Sequence, residues 1–202
     1  MPKLLLATRN PAKVREYSFL FQDAPFQLTT LAEEGINMEV SEIGPTLEEN
    51  ARLKASAYAI DDRFIALADD SGLEVDALGG KPGSLSARYG GKDASDKEKI
   101  TLLLSRLQGV PWERRSAHFR CVIAIASVSK IVGLCEGECH GVITFEPKGD
   151  QGFGYDPVFY LPELGKTMAE LSIEEKNRVS HRGKTARKAL QILEGMWREL
   201  SQ

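Results

Sequence analysis

The stretch Ala66–Gly72, ALADDSG, constrains this chain more than any other. Phe64-Ile65-Ala66-Leu67-Ala68 is a short apolar run rich in strand formers. It stops abruptly at two adjacent carboxylates, Asp69 and Asp70. An apolar run ended by acids is what a buried strand looks like where it delivers polar groups to a sheet edge. Neighbouring side chains on a strand face opposite ways, so Asp69 and Asp70 are not expected to share a pocket unless a turn begins between them. Ser71 and Gly72 predict such a turn. Like charges this close raise each other's cost of ionising unless a cation intervenes. The corner therefore reads as a metal or general-base site.

The 202 residues suffice for one sizeable domain or two small lobes. With 26 basic and 29 acidic residues the net charge is −3, so no global basic field exists to hold nucleic acid. An anionic ligand would need a local cluster of cations and backbone amides. Cys121, Cys135 and Cys139 form no CxxC pair. Their odd number, and no signal-peptide pattern, point to a reduced, cytoplasmic chain. The four-residue gap from Cys135 to Cys139, beside His140, is poor zinc spacing. No apolar run approaches a membrane span.

At the N-terminus, strand Lys3–Ala7 runs into Thr8-Arg9-Asn10-Pro11-Ala12-Lys13, and Val14, Tyr17, Leu20 and Phe21 then share a helical face. Asn10 before Pro11 is an N-cap with proline at the first helical position. Strand, polar turn and helix start is an arrangement that holds phosphate, although the glycines of a Walker loop are missing. Phe26–Thr30 predicts a second strand, and 32–45 an acidic loop carrying Glu42. Thr46 with Glu49 predicts a capping box, and the helix continues to Ile60 with Asn50 and Lys54 on one face.

Farther on, the Gly79–Gly83 density marks turns, and 93–107 predicts a helix with Ile100, Leu103, Leu104 and Leu107 as its apolar stripe. Ala117–Ser127 and Ile131–Glu138 predict a hairpin with His118 and Arg120 on its outer side, and Gly141–Thr144 a further strand. Phe153, Gly154, Tyr155 and Asp156 suit either a flat ring recognised by backbone groups or a tight turn whose aromatics plug the core. Thr167 with Glu170 predicts a helix over 167–176. Lys176, Arg178, His181, Arg182 and Lys184 form the densest basic cluster, where Ser180 would cap a final amphipathic helix carrying Leu190, Leu193, Met196, Trp197 and Leu200. Positive charge there opposes the helix dipole, and a bound anion would relieve it. No repeat or linker divides residues 1–202, which predicts a single domain.

A phosphate-type turn, an acidic corner suited to a hard divalent cation and an aromatic shelf together describe a nucleoside polyphosphate pocket. The residues that carry these features, Thr8-x-Asn10-x-x-Lys13, Glu49-Asn50-Ala51-x-x-Lys54-Ala55, Ala68–Gly72, Phe153–Pro157 and Ser180-His181-Arg182, run nearly end to end. In that order they resemble the Ham1/RdgB family of inosine/xanthosine triphosphate pyrophosphatases. The resemblance implies an α/β fold with an elongated mixed β-sheet flanked by helices, and two lobes with a central cleft. It implies a homodimer and Mg²⁺-dependent hydrolysis of ITP, dITP and XTP to the monophosphate and pyrophosphate. By position it implies Asp70 as water-activating base and metal ligand, and Glu42 as a second metal ligand. Thr8, Arg9, Asn10 and Lys13 would hold phosphates. Ser71, Lys176, His181 and Arg182 would contact substrate, and Phe153, Gly154, Tyr155 and Asp156 would frame the purine.

Two other readings fit parts of the pattern. A purine-nucleotide sensor would need the phosphate and base motifs but no carboxylate placed to activate water, and Asp70 argues against it. Hydrolysis of another anion, such as a modified pyrimidine triphosphate, would use the same phosphate and metal groups.

Overall fold

In–out alternation along the strands sets the architecture. The computed structural model describes residues 3–128 and 130–200. Its mixed eight-stranded sheet has the order β2-β1-β3-β5-β6-β7-β8, with β4 on β3. The strands are β1 (Lys3–Leu6), β2 (Gln27–Thr30), β3 (Phe64–Val75), β4 (Lys81–Gly83), β5 (Ser116–Ser127), β6 (Lys130–Ile143), β7 (Phe159–Leu161) and β8 (Lys166–Thr167). Five α-helices accompany them among the described residues: α1 (Pro11–Leu20), α2 (Leu47–Tyr58), α3 (Asp96–Arg106), α4 (Ile173–Val179) and α5 (His181–Leu200). This is the α/β class expected. The chain divides into two compact units: Met1–Asp70, Cys121–Gly137 and Arg182–Gln202 in the first, Ser71–Arg120 and Glu138–His181 in the second.

In the first unit β1 pairs in parallel with both β2 and β3, Leu5 standing beside Thr29 and Ala66. Parallel strands covered on both faces read as near-continuous apolar runs, as Leu4-Leu5-Leu6 and Phe64–Ala68 do. Leu5, Phe64, Ala66 and Ala68 bury one face against Leu47, Ala51, Ala55 and Tyr58 of α2. Leu4, Leu6 and Leu67 bury the other against Tyr17 of α1 and Ala186, Ala189 and Leu193 of α5. Leu200, expected on the same face of α5, lies outside the described side chains. In the second unit one core gathers Leu73, Leu103, Phe119, Ile143, Phe159 and Met168.

Several local expectations change. No turn forms at Ser71-Gly72: β3 runs through them to Val75, 12 residues in all. Gly72 is there because a Cβ would run into the Gly83 carbonyl of neighbouring β4, which is why a strand tolerates glycine where another backbone comes close. The strands predicted at 131–138 and 141–144 are one, β6. The Thr167–Glu170 capping box exists, but it closes a three-residue 3₁₀ turn. A second box, Ser172 with Glu175, starts α4. Helix α3 begins at Asp96 rather than 93, because Ser95 and Glu98 make its capping box. Helix α2 ends at Tyr58, with the Thr46 hydroxyl accepting the Glu49 N–H at its start.

Candidate active site

The polar turn after β1 forms as expected. Asn10 caps α1, its Oδ1 accepting from Ala12 N (2.9 Å) and Lys13 N (3.3 Å), and Asn10 N–H donates to Thr8 Oγ1 at 3.2 Å. The side chain of Asn10 is thus spent on the cap. Arg9 turns away to the 36–38 loop, where it donates to the carbonyls of Ile36 and Met38 at 3.1 Å each.

Strand alternation separates the two acids at the end of the apolar run. Asp70 follows Phe64, Ala66 and Ala68 onto the α2 face. Asp69 follows Leu67 onto the face of α1 and α5. Their partners confirm the split. Lys54, on the buried face of α2, sends its ammonium to Glu42 Oε1 (2.7 Å), the Asp69 carbonyl (2.6 Å) and Asp70 Oδ1 (3.6 Å). Asp70 is 6% exposed, and its Oδ2 has no hydrogen-bond partner among the described residues. Burial pushes its carboxyl above the usual carboxylate range, with Glu42 and Asp69 adding to the rise and Lys54 and Lys13 opposing it. Lys54 is held above an ordinary lysine: its burial works the other way, but Asp70, Asp69 and Glu42 outweigh it. A buried ammonium survives only when paired in this way.

Asn50, one helical turn before Lys54, steadies this corner. It is fully buried, and its Oδ1 accepts the N–H of Gly44 at 2.8 Å, fixing the loop that presents Glu42. Gly44 has no room for a Cβ, which would press on Glu49 and Asn50.

On the opposite face Asp69 is an ion-pair centre. Its Oδ1 accepts from Lys13 Nζ at 3.0 Å, and its Oδ2 accepts from Arg182 at 3.3 Å. Arg182, among the largest fully buried side chains, also donates to Glu16 Oε2 at 2.8 Å. Burial would raise the Asp69 carboxyl, but Lys13, Arg182 and Lys54 overcome it and hold the group far below the carboxylate range. Asp69 is therefore a committed anion that orients Lys13. Cys121 beside it is an inert thiol, pushed up to about 12 by burial and by Asp69.

In the second unit, the segment 152–156 resolves the choice left open for its aromatics. Tyr155 plugs the core, its hydroxyl donating to the Ser86 carbonyl at 3.0 Å. Phe153 stays half-buried, with the Lys176 ammonium 4.9 Å from its ring centroid. Asp156 binds Lys176 in a short buried ion pair and accepts the Phe153 N–H at 2.8 Å. His181 stacks on Phe119, centroids 4.6 Å apart and planes 13° apart. The basic cluster of the sequence thus divides: Arg178 and Lys184 are exposed, whereas Lys176, His181 and Arg182 are buried. Lys176 and Arg182 each answer a buried carboxylate, and they fall in different units, as do His181 and Arg182.

Among the described residues no group of three or more His, Cys, Asp and Glu side chains is placed to hold a metal. The pair Glu42 and Asp70, with one carboxylate oxygen orphaned, instead fits an ion that takes its remaining ligands from water and substrate, as Mg²⁺ does. Glu16 was not singled out from the sequence, and Lys54, placed there on one helix face with Asn50, was not read as the partner of Glu42 and Asp70. The readable signal was a lysine one turn from Asn50 in the buried stripe of α2.

Comparisons with known proteins extend this picture. The Ham1 family model matches residues 4–192. A dITP/XTP pyrophosphatase of Geobacillus kaustophilus is 48% identical over 200 residues, covering 99% of this chain and 96% of that protein. One of Geobacter sulfurreducens is 52% identical over 184 residues, covering 91% and 92%. A solved HAM1 protein from Coxiella burnetii superposes with a TM-score of 0.86 at 39% identity, over 96% of this chain and all of that one.

Proposed function

The chain belongs to the Ham1 family, and from that premise we propose that it hydrolyses non-standard purine nucleoside triphosphates, dITP, XTP and ITP, to the monophosphate and pyrophosphate. It is a nucleotide-metabolising hydrolase, a dITP/XTP pyrophosphatase. The observation that carries the reading is Asp70: a buried carboxylate with a raised proton affinity, one oxygen without a partner, and a second acid, Glu42, across a shared lysine.

Asp70 then has two uses. Its raised pKa makes it a better proton acceptor than an ordinary carboxylate, so it takes the proton of the attacking water as the bond between the α- and β-phosphates breaks. With Glu42 it would also hold Mg²⁺, and the ion would supply positive charge against that of the departing pyrophosphate. Lys13, aimed by Asp69, supplies a fixed cation to the phosphates without reorganising during the reaction. The amides of the Thr8–Lys13 turn assist at the start of α1. Arg9 and Asn10 act here by holding the turn and the 36–38 loop, and Ser71 follows the base at the end of its run.

On the family resemblance Phe153, Gly154, Tyr155 and Asp156 frame the purine, and Lys176, His181 and Arg182 are the substrate contacts. A 6-oxo group accepts hydrogen bonds where the adenine amine donates. Donors placed for the oxo group leave an adenine amine unpaired, at about 1–3 kcal/mol for each such group. In this reading residues 1–202 make one functional domain, the active species is a homodimer, and the enzyme works in the cytoplasm. No described helix is long and apolar enough to cross a membrane. Light scattering tests the dimer through a particle of twice the chain mass.

Pyrophosphate release from dITP, XTP, ITP, ATP and GTP, with and without Mg²⁺, tests the activity. The first three are expected to turn over faster, and only with the metal. Equal rates across the panel would remove the specificity, and orthophosphate as the product would remove the pyrophosphatase assignment.

A further inference from the structure

Gly154 lies at φ +63°, in the left-handed region that favours glycine, and its N–H donates to Asp96 Oδ2 at 2.6 Å. The other oxygen of Asp96 accepts from Lys99 Nζ at 3.2 Å. One residue earlier, the Phe153 N–H donates to Asp156, which Lys176 holds in turn. Two consecutive amides of the loop therefore donate to carboxylates. One carboxylate comes from inside the loop and the other from the first residue of α3. Helix α3 does not need Asp96 as its cap, because Ser95 and Glu98 already form a complete capping box. The carboxylate of Asp96 is instead directed at the backbone of a loop 58 residues away in sequence. A charged acceptor on a backbone amide is among the stronger hydrogen bonds a loop can be given.

We propose that Asp96 is a positioning residue for purine recognition: by holding Gly154 it fixes the Phe153 ring and the Asp156–Lys176 pair against the base. The proposal rests on the assignment of 153–156 to the purine made above. The hydrogen-bond partners of the Asp96 carboxylate among the described residues, Gly154 and Lys99, handle no phosphate in this reading. Its loss should weaken ligands that carry the base and spare ligands that carry only phosphates.

The test compares the wild-type enzyme with Asp96→Ala and Asp96→Asn. It reads KM and kcat for dITP, competitive inhibition by dIMP, and competitive inhibition by inorganic tripolyphosphate. For Asp96→Ala, KM for dITP and the inhibition constant for dIMP are expected to rise about tenfold, the factor that about 1.4 kcal/mol represents. The constant for tripolyphosphate should stay unchanged and kcat within about threefold. Asp96→Asn keeps an acceptor oxygen, so its dIMP constant should rise only about threefold. That variant carries the test by itself if the alanine variant does not fold. Unchanged dIMP inhibition in the folded variants, or equal losses for dIMP and tripolyphosphate, would overturn the proposal. A wild-type enzyme that leaves dITP intact would overturn the functional assignment instead.

Discussion

Lys54 and Asp70 make the case for reading single side chains against their surroundings. A lysine placed among Ala51, Ala55 and Tyr58 must find anions, and it finds Glu42 and Asp70. Lys54 lowers the proton affinity of Asp70, while burial raises it and prevails. The base is active only when ionised, so activity should fall as pH drops through the raised pKa. Mg²⁺ beside Asp70 would itself lower the position of that acid limb, so the test is the shift of the limb between variants. Lys54→Met removes a lowering influence and should move the limb to higher pH, whereas Lys54→Arg should leave it nearly in place. A kcat/KM profile against pH checks both. An acid limb that does not move in Lys54→Met would separate Lys54 from the base. Asp69 has the opposite sign. Its folded pKa is depressed, so its contribution to stability is full above the unfolded value of about 3.9 and is lost as pH falls below it. Asp69→Asn should therefore flatten the loss of stability between about pH 4 and pH 2, as urea midpoints would show.

The elements show what pattern alone could and could not supply. Periodicity and caps located β1, α1, α2 and β3, because each carries its own signal: an apolar run, Asn10 before Pro11, Thr46 three residues before Glu49. The opposite orientation of Asp69 and Asp70 was also legible, since alternation is a property of any strand. The continuation of β3 past Ser71-Gly72 was not legible. Ser-Gly is turn chemistry unless a neighbour strand needs the space, and here β4 does. Gly72→Ala should accordingly destabilise the fold by about 1–3 kcal/mol through overpacking, read from a denaturant midpoint. A neutral result would return Gly72 to the role of a flexible turn residue. Ser95→Ala, which deletes the cap of α3, should cost about 1 kcal/mol.

At the scale of the molecule, the first unit is tied together by charge as well as by apolar packing. Arg182 at the start of α5 joins Glu16 of α1 to Asp69 of β3, with Lys13 closing the set. The sequence offered Arg182 as one member of a basic cluster, and its partners lie 113 and 166 residues away. No local pattern reports pairings of that range. Removing one partner of a buried pair strands the others, so Arg182→Ala should cost about 3–5 kcal/mol, and a thermal melt unchanged from the wild type would contradict the network. The network and the Asp70 corner occupy opposite faces of the same strand. One face sets a fixed cation, and the other keeps a carboxylate oxygen in reserve.

That division is tested most directly by Asp70→Asn, measured for both turnover and binding of dITP in the presence of Mg²⁺. Turnover is expected to fall by about 10²–10⁴, the usual worth of a positioned base, while the nucleotide still binds and the thermal midpoint is kept. Turnover within a fewfold of the wild type would contradict the account, because the one buried acid with an unused oxygen among the described residues would then not be the base.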